Sequence, residues 1–390
     1  MAYFDVGTVL LYVIVGLLGV LFIEKMMTCQ NNPLNELVYR YKHNVSTAPF
    51  FFVVIYTFLA VFRSVSPNIG GSDALTYVLN FQTSLSNNGG YIKVMNGKDL
   101  EAGFTIITKA IRFLTSSYHI YYLIVYTFIS YFYVKFIRDI CPKGLFYIPF
   151  ILLMYPYLRS FNTIRSSVAV GFIIWGLTIM NKKKWLSLLI LIVSVSFHRM
   201  SILYVMIWPF YYLLRNYFYK LKKYQFVLFS MAGMIVIYLL SMTLQLYIGA
   251  SMEIDELDMY YTTRSIGENH FERYPLVLGH LLTFGAIIWS YNKIKWEQKS
   301  TYLRTLFIYD LWVLPAGVVL GAWRFVEYLY LVRLSLWCII LYSISKGKSP
   351  SSVKTINILS LLVFGAWLVF RIYKEWDPIK ISPYILDIGL

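Results

Sequence analysis

Long apolar runs separated by short polar breaks make up most of the chain. Runs of spanning length lie near 6–23, 47–63, 118–138, 144–158, 161–180, 184–198, 200–215, 224–248, 274–292, 302–320, 323–343 and 354–371. A helix needs roughly 20 residues to cross a bilayer, and runs this continuous lack the two-residue alternation of a membrane barrel strand. The pattern predicts an all-α, polytopic transmembrane helical bundle of about 12 spans (roughly 11–14), as a single transmembrane domain over 1–390. The runs at 144–158, 184–198 and 200–215 are short, which predicts tilt, breakage or extension into their flanks.

The segment from Ala102 to Leu114 is apolar but carries Lys109 and Arg112. Counting it as a span would invert every later loop, so it reads as a re-entrant or interfacial helix near 102–114.

Composition agrees with a membrane location. Hydrophobic residues make up 58% of the chain, charged residues only 14%, and mean hydropathy is +0.61. Soluble domains carry about 25% charged residues. The net charge of +16 is not a nucleic-acid signature, because the basic residues are scattered in short loops. Of the 35 basic residues, 20 fall in alternate loops together with only four acids, and the rest of the chain balances to zero. The positive-inside rule puts the basic loops in the cytoplasm and both termini outside. Val6 to Ile23 lacks a basic leading region and a small-residue cleavage site, so it is taken as a span. Cys29, Cys141 and Cys338 have neither paired nor metal-type spacing, and no disulfide is expected.

Two hydrophilic loops, 64–101 and 249–273, then lie outside. Ionisable residues gather at the outer ends of spans: Arg63, Asp73, Glu101, Arg159, Arg165, His198, Arg199, Arg273 and Arg324. Outer positive charge runs against the topology bias. One arginine there is explained by snorkelling to headgroups; five or six on one side point to a shared anionic ligand. Arg165 has the best individual case. It lies about one turn into a helix starting near Phe161, whose outward N-terminus favours an anion and which Ser160 or Asn162 can cap. Its guanidinium fork suits phosphate oxygens; the plain alternative is an ion pair with an acid on a neighbouring helix. His198 can exchange a proton near neutral pH, although a histidine at a helix end is also an ordinary structural hydrogen-bonder. Asp73 and Glu101 are candidate acids or bases, against solvated loop charge. Asp310 lies mid-span, is costly unless paired, and reads as a packing anchor.

Several of these residues sit in short motifs: VFRSV with Arg63, GGSDALTY with Asp73 and Tyr77, LEAGF with Glu101 and Gly103, NTIRSSVAVG with Arg165 and Ala169, SFHRMSIL with His198 and Ser201, and, more loosely, WRFVEYL with Arg324. In order and spacing they resemble the EpsG family of Wzy-like polysaccharide polymerases, well over 63–201 and weakly in the C-terminal half. GSD stands where the family often has GTD, and Ser166 where Gln often follows the arginine.

The resemblance implies a GT-C-like helical fold in the bacterial plasma membrane, with the active site facing outward. It implies undecaprenyl-diphosphate-linked oligosaccharides as donor and acceptor, with a flippase and a chain-length regulator of the same pathway as further partners. No cofactor, metal, nucleotide sugar or nucleic acid is expected. On that basis Arg165, helped by Arg63, Arg159, Arg324 and Arg273, is expected to bind the diphosphate. His198 or Glu101 is expected to take the acceptor proton, and Asp73 to bind sugar hydroxyls. A flippase or exporter of lipid-linked oligosaccharide and a membrane O-acyltransferase are the alternatives.

Overall fold

The computed structural model describes residues 5–28, 47–66, 69–71, 73–85, 93–94, 98–99, 101–140, 156–251, 274–319, 328–345, 350–379 and 384–387. The described chain is almost entirely helical. The exceptions are a two-residue antiparallel ladder, β1 (Lys93–Val94) with β2 (Lys98–Asp99), and two isolated bridges. The helices are α1 (Val6–Thr28), α2 (Thr47–Val61), α3 (Ala74–Thr83), α4 (Ala102–Leu114), α5 (Tyr118–Ile140), α6 (Ile164–Ile179), α7 (Lys184–Val195), α8 (Ile207–Tyr219), α9 (Lys223–Ser251), α10 (Tyr274–Ser290), α11 (Gln298–Val319), α12 (Tyr330–Ser345) and α13 (Pro350–Ile379).

Among the described residues, three helical stretches are long and apolar enough to cross a membrane: Tyr118–Ile137, Lys223–Leu244 and Gln298–Val319. Shorter apolar stretches coincide with the other expected spans except two: the run at 200–215 matches none of them, and most of the run at 144–158 lies outside the described residues. The expected all-helical polytopic membrane protein is what the fold presents.

The short run at 200–215 is broken, and the sequence holds the reason. A helical turn at Ile202–Val205 stops and α8 restarts at Ile207. Pro209 has no N–H, and in a continuous helix its ring would strike the carbonyl of Val205. At Ala102–Leu114 the chain forms a 13-residue helix. At 1.5 Å per residue this is about 20 Å, short of the roughly 30 Å hydrocarbon core. It buries Phe104, Thr108 and Ile111 on one stripe and exposes Ile106, Phe113 and Leu114. The exposed side also carries Lys109.

The chain groups into two compact units. The first holds α1–α7 with the turn that follows, α13 and the C-terminal tail; the second holds α8–α12. Within the first unit, α6 and α7 form a close hairpin, with the Ser187 hydroxyl donating to the Gly176 carbonyl at 2.9 Å. The tail docks against the end of α2. Ser64 N donates to Ile385 O at 2.7 Å and Asp387 N to Phe62 O at 2.8 Å. Tyr384 N reaches the Thr8 hydroxyl at 2.6 Å, and the Tyr118 hydroxyl donates to the Asp387 carboxylate. The start of α1, the end of α2, the start of α5 and the tail therefore share one end of this unit. The charge reading requires the same arrangement, with both termini on the side of the loop after α2.

Candidate functional site

The motif residues from 63 to 201 belong to the first unit, and backbone contacts tie their segments together. Residues 66 and 69 pair in a tight turn, with N–H to carbonyl distances of 3.0 and 3.2 Å. Two glycines with positive φ follow, Gly70 at 82° and Gly71 at 121°. A Cβ on Gly71 would sit 2.6 Å from the Phe161 carbonyl oxygen, so only glycine lets this loop lie against the turn before α6. The Asn162 side-chain oxygen accepts the Asp73 N–H at 2.6 Å, fixing the start of α3 on the same turn. Gly103 N donates to Ser196 O at 2.8 Å, and a Cβ there would stand 2.9 Å from that oxygen. The start of α4 is thereby seated on the end of α7, two residues before His198.

Arg63 locks these pieces from inside. It is 1% exposed. Its Nε donates to Gly70 O at 2.8 Å, Nη1 to Ala60 O at 2.5 Å, and Nη2 to the Tyr126 hydroxyl at 3.0 Å and Phe161 O at 3.5 Å. Rings of Tyr122, Tyr126 and Phe161 lie 4.2 to 5.0 Å from the guanidinium carbon. The expectation that Arg63 helps bind a diphosphate is not met by this geometry. Its donors are directed at carbonyls and a phenol, and its faces are covered, so it acts on the loop rather than on a ligand.

Arg165 is placed differently. It is the second residue of α6, its side chain 17% exposed. Nη1 meets Glu101 Oε2 at 2.5 Å, and Nε donates to the Tyr77 hydroxyl at 3.4 Å. Nη2 bonds none of the described residues. The starts of α3, α4 and α6 each bring one member of this trio: Tyr77 one turn into α3, Glu101 just before α4, and Arg165. Neither Ser160 nor Asn162 caps α6, contrary to expectation. The Ser160 hydroxyl bonds back to Tyr157 O, Asn162 serves Asp73, and Thr163 turns to Arg159 O. The N-cap residue Thr163 makes no side-chain cap bond to α6, and Glu101 likewise does not cap α4. Uncapped N-termini carry partial positive charge. Both the ion pair weighed for Arg165 and the anion-favouring helix end are thus present at once.

His198 is buried in extended backbone where α7 has ended. Its carbonyl accepts Ser201 N at 2.9 Å, and the buried Ser201 hydroxyl has no partner among the described residues. Arg159 is half-buried on the turn before α6. Arg273 and Arg324 lie outside the described residues.

The second unit holds a separate charged group. Asp310 on α11 is fully buried. Its Oδ2 lies 3.1 Å from His280 Nε2 of α10 and takes a hydrogen bond from Arg333 Nη1 of α12. Asp310 is paired, as a charge at that depth has to be. His280 and Arg333 were not picked out from the sequence, although an ionisable residue inside an apolar run is the same signal that marked Asp310.

Comparison with known families decides the affiliation. The model of the EpsG family matches residues 49–386. The chain belongs to the EpsG family. The match takes in every motif segment named above and extends through the C-terminal half, where the motifs alone carried little. Membership of the EpsG family, with a polytopic helical fold, makes this a membrane protein and points to a polymerase-like function in polysaccharide synthesis. No curated protein and no solved structure matches the chain.

Proposed function

We propose that this protein polymerises a bacterial surface polysaccharide (capsule, exopolysaccharide or O-antigen). It transfers a growing glycan from undecaprenyl diphosphate onto an incoming lipid-linked repeat unit at the outer face of the plasma membrane. The observation that carries this reading is Arg165, held at the uncapped start of α6 by Glu101 and Tyr77, in a chain of the EpsG family.

In the reaction, an acceptor hydroxyl oxygen attacks the anomeric carbon of the donor. The bond from that carbon to the diphosphate oxygen breaks, its electron pair leaves with the diphosphate, and the hydroxyl proton passes to a base. The diphosphate is already a competent leaving group, so the protein's main task is to stabilise charge growing on it. A fixed guanidinium in a water-poor site does this without reorganisation. Arg165 is assigned that task, with Arg159 as helper. Glu101 or His198 takes the proton, and Asp73 holds sugar hydroxyls. The fold is taken as GT-C-like.

Arginines within spans would suit a flippase, and Arg304 and Arg333 are such residues. Both are engaged with protein: Arg333 with Asp310 and His280, Arg304 with the Tyr291 hydroxyl and the Phe218 carbonyl. The test is reconstitution. Purified protein in liposomes with a single lipid-linked repeat unit should give a ladder of longer glycans with no soluble donor added. Translocation without elongation would support a flippase or exporter, and a mass shift of one acyl group an O-acyltransferase.

A further inference from the structure

Glu101 occupies an unusual position. It immediately precedes α4, where a side-chain oxygen commonly turns onto its own helix's first amides, yet it makes no such bond. It reaches Arg165 instead, 64 residues away in sequence, at 2.5 Å. Its side chain is 11% exposed and that of Arg165 17%, so the pair is sheltered but within reach of solvent. The backbone around the carboxylate is clamped, because Gly103 N bonds Ser196 O and tolerates no Cβ. The carboxylate therefore stands where an anionic ligand of Arg165 would place its oxygens. One guanidinium edge, Nη2, is left over for a second oxygen.

We infer that Glu101 is an internal anion that fills the Arg165 fork while the protein is unliganded and gives it up to a phosphate group. This rests on the proposed reading of Arg165 as the diphosphate anchor and adds to it a competition within the site. A diphosphate bridging Nη1 and Nη2 would bring its oxygens against the Glu101 carboxylate already on Nη1, and like-charge repulsion sets the two anions in competition. Entry of a phosphate oxygen displaces the carboxylate, and the freed Glu101 then lies beside the bound diphosphate with no cation of its own. The cost of breaking the pair lowers the affinity for any free diphosphate. Tyr77, bonded to Nε, keeps the guanidinium in place during the exchange.

The competition is measurable without turnover. Inorganic diphosphate and undecaprenyl diphosphate are titrated into detergent-purified protein by calorimetry, for wild type, Glu101→Gln and Glu101→Asp. A sheltered pair of this kind is worth about 1 kcal/mol, so Glu101→Gln should bind both probes about fivefold tighter than wild type. Tighter binding of the lipid form alone would still show the displacement and would assign the anion to the lipid. Arg165→Gln should abolish the gain when combined with Glu101→Gln. Thermal melts establish that each variant is folded; should Glu101→Gln not fold, Glu101→Asp, whose shorter side chain withdraws the carboxylate from Nη1, carries the test through the same tighter binding. Equal or weaker binding by folded Glu101→Gln overturns the inference, even if wild type elongates glycan. Tighter binding with no elongation by wild type upholds the competition and removes the polymerase reading.

Discussion

The Arg63 guanidinium and the Tyr126 hydroxyl meet at 3.0 Å in the interior of the first unit, 63 residues apart in sequence. Tyr126 passes the link on, donating to Ser160 O at 2.9 Å. One hydrogen-bonded path thus runs from the end of α2 through α5 to the turn that launches α6 and Arg165.

Removing Arg63 should therefore unfasten the site from below. Arg63→Leu strands the carbonyls of Ala60, Gly70 and Phe161, each costing about 1–3 kcal/mol when buried without a partner. We expect a loss of at least about 3 kcal/mol, read as a lower melting temperature in detergent. Arg63→Lys should not restore it, since one ammonium cannot serve carbonyls on three sides.

Glycine positions separate sharply. Gly71→Ala forces a positive φ on a side chain whose Cβ lies 2.6 Å from backbone, and should cost about 1–3 kcal/mol. Gly279→Ala, in α10 with nothing within 4 Å of its Cβ, should be neutral or stabilise by about 0.5–1 kcal/mol. Parallel thermal melts of the two variants check this.

The tail contact should be pH-sensitive at the alkaline end. Burial pushes the Tyr384 phenol up to about 12 from its ordinary 10, partly opposed by Arg63, and its hydroxyl donates to Leu59 O at 3.0 Å. The unfolded or undocked tyrosine loses its proton first. The stabilisation is thus complete below pH 10 and fades as pH rises through about 12. Proteolysis of the tail should increase over that window in wild type, and Tyr384→Phe should show no such rise.

In the second unit, Arg333→Leu alone should destabilise by about 3–5 kcal/mol, because it leaves the Asp310 charge buried with less compensation. The double variant Asp310→Leu with Arg333→Leu should lose less than the sum of the single losses. A double-mutant cycle in thermal melts reads the coupling.

Much of this was written in the apolar runs. Most of the helices lie on them, although α3 lies in the hydrophilic segment 64–101, and the break at Met206 follows from Pro209. The side shared by both termini and the loop after α2 followed from loop charge alone. Pairings between distant segments were not legible. Nothing periodic marks 385–387 as a partner of 62–64, and an arginine at a span end reads the same whether it faces a ligand or, like Arg63, three carbonyls. Glu101 and Arg165 each stand out in the sequence as candidates, but their contact depends on Gly103 settling onto Ser196, a fit that spacing does not encode.

The central claim is that the Arg165 fork stabilises charge on the departing diphosphate. Single-turnover elongation of a purified lipid-linked repeat in liposomes, comparing wild type with Arg165→Lys at equal protein, tests it most directly. The account predicts a fall of about 10²–10³-fold, the effect of losing one oxyanion donor, because a lysine keeps the charge but not the fork. Elongation by Arg165→Lys within a fewfold of wild type would contradict it.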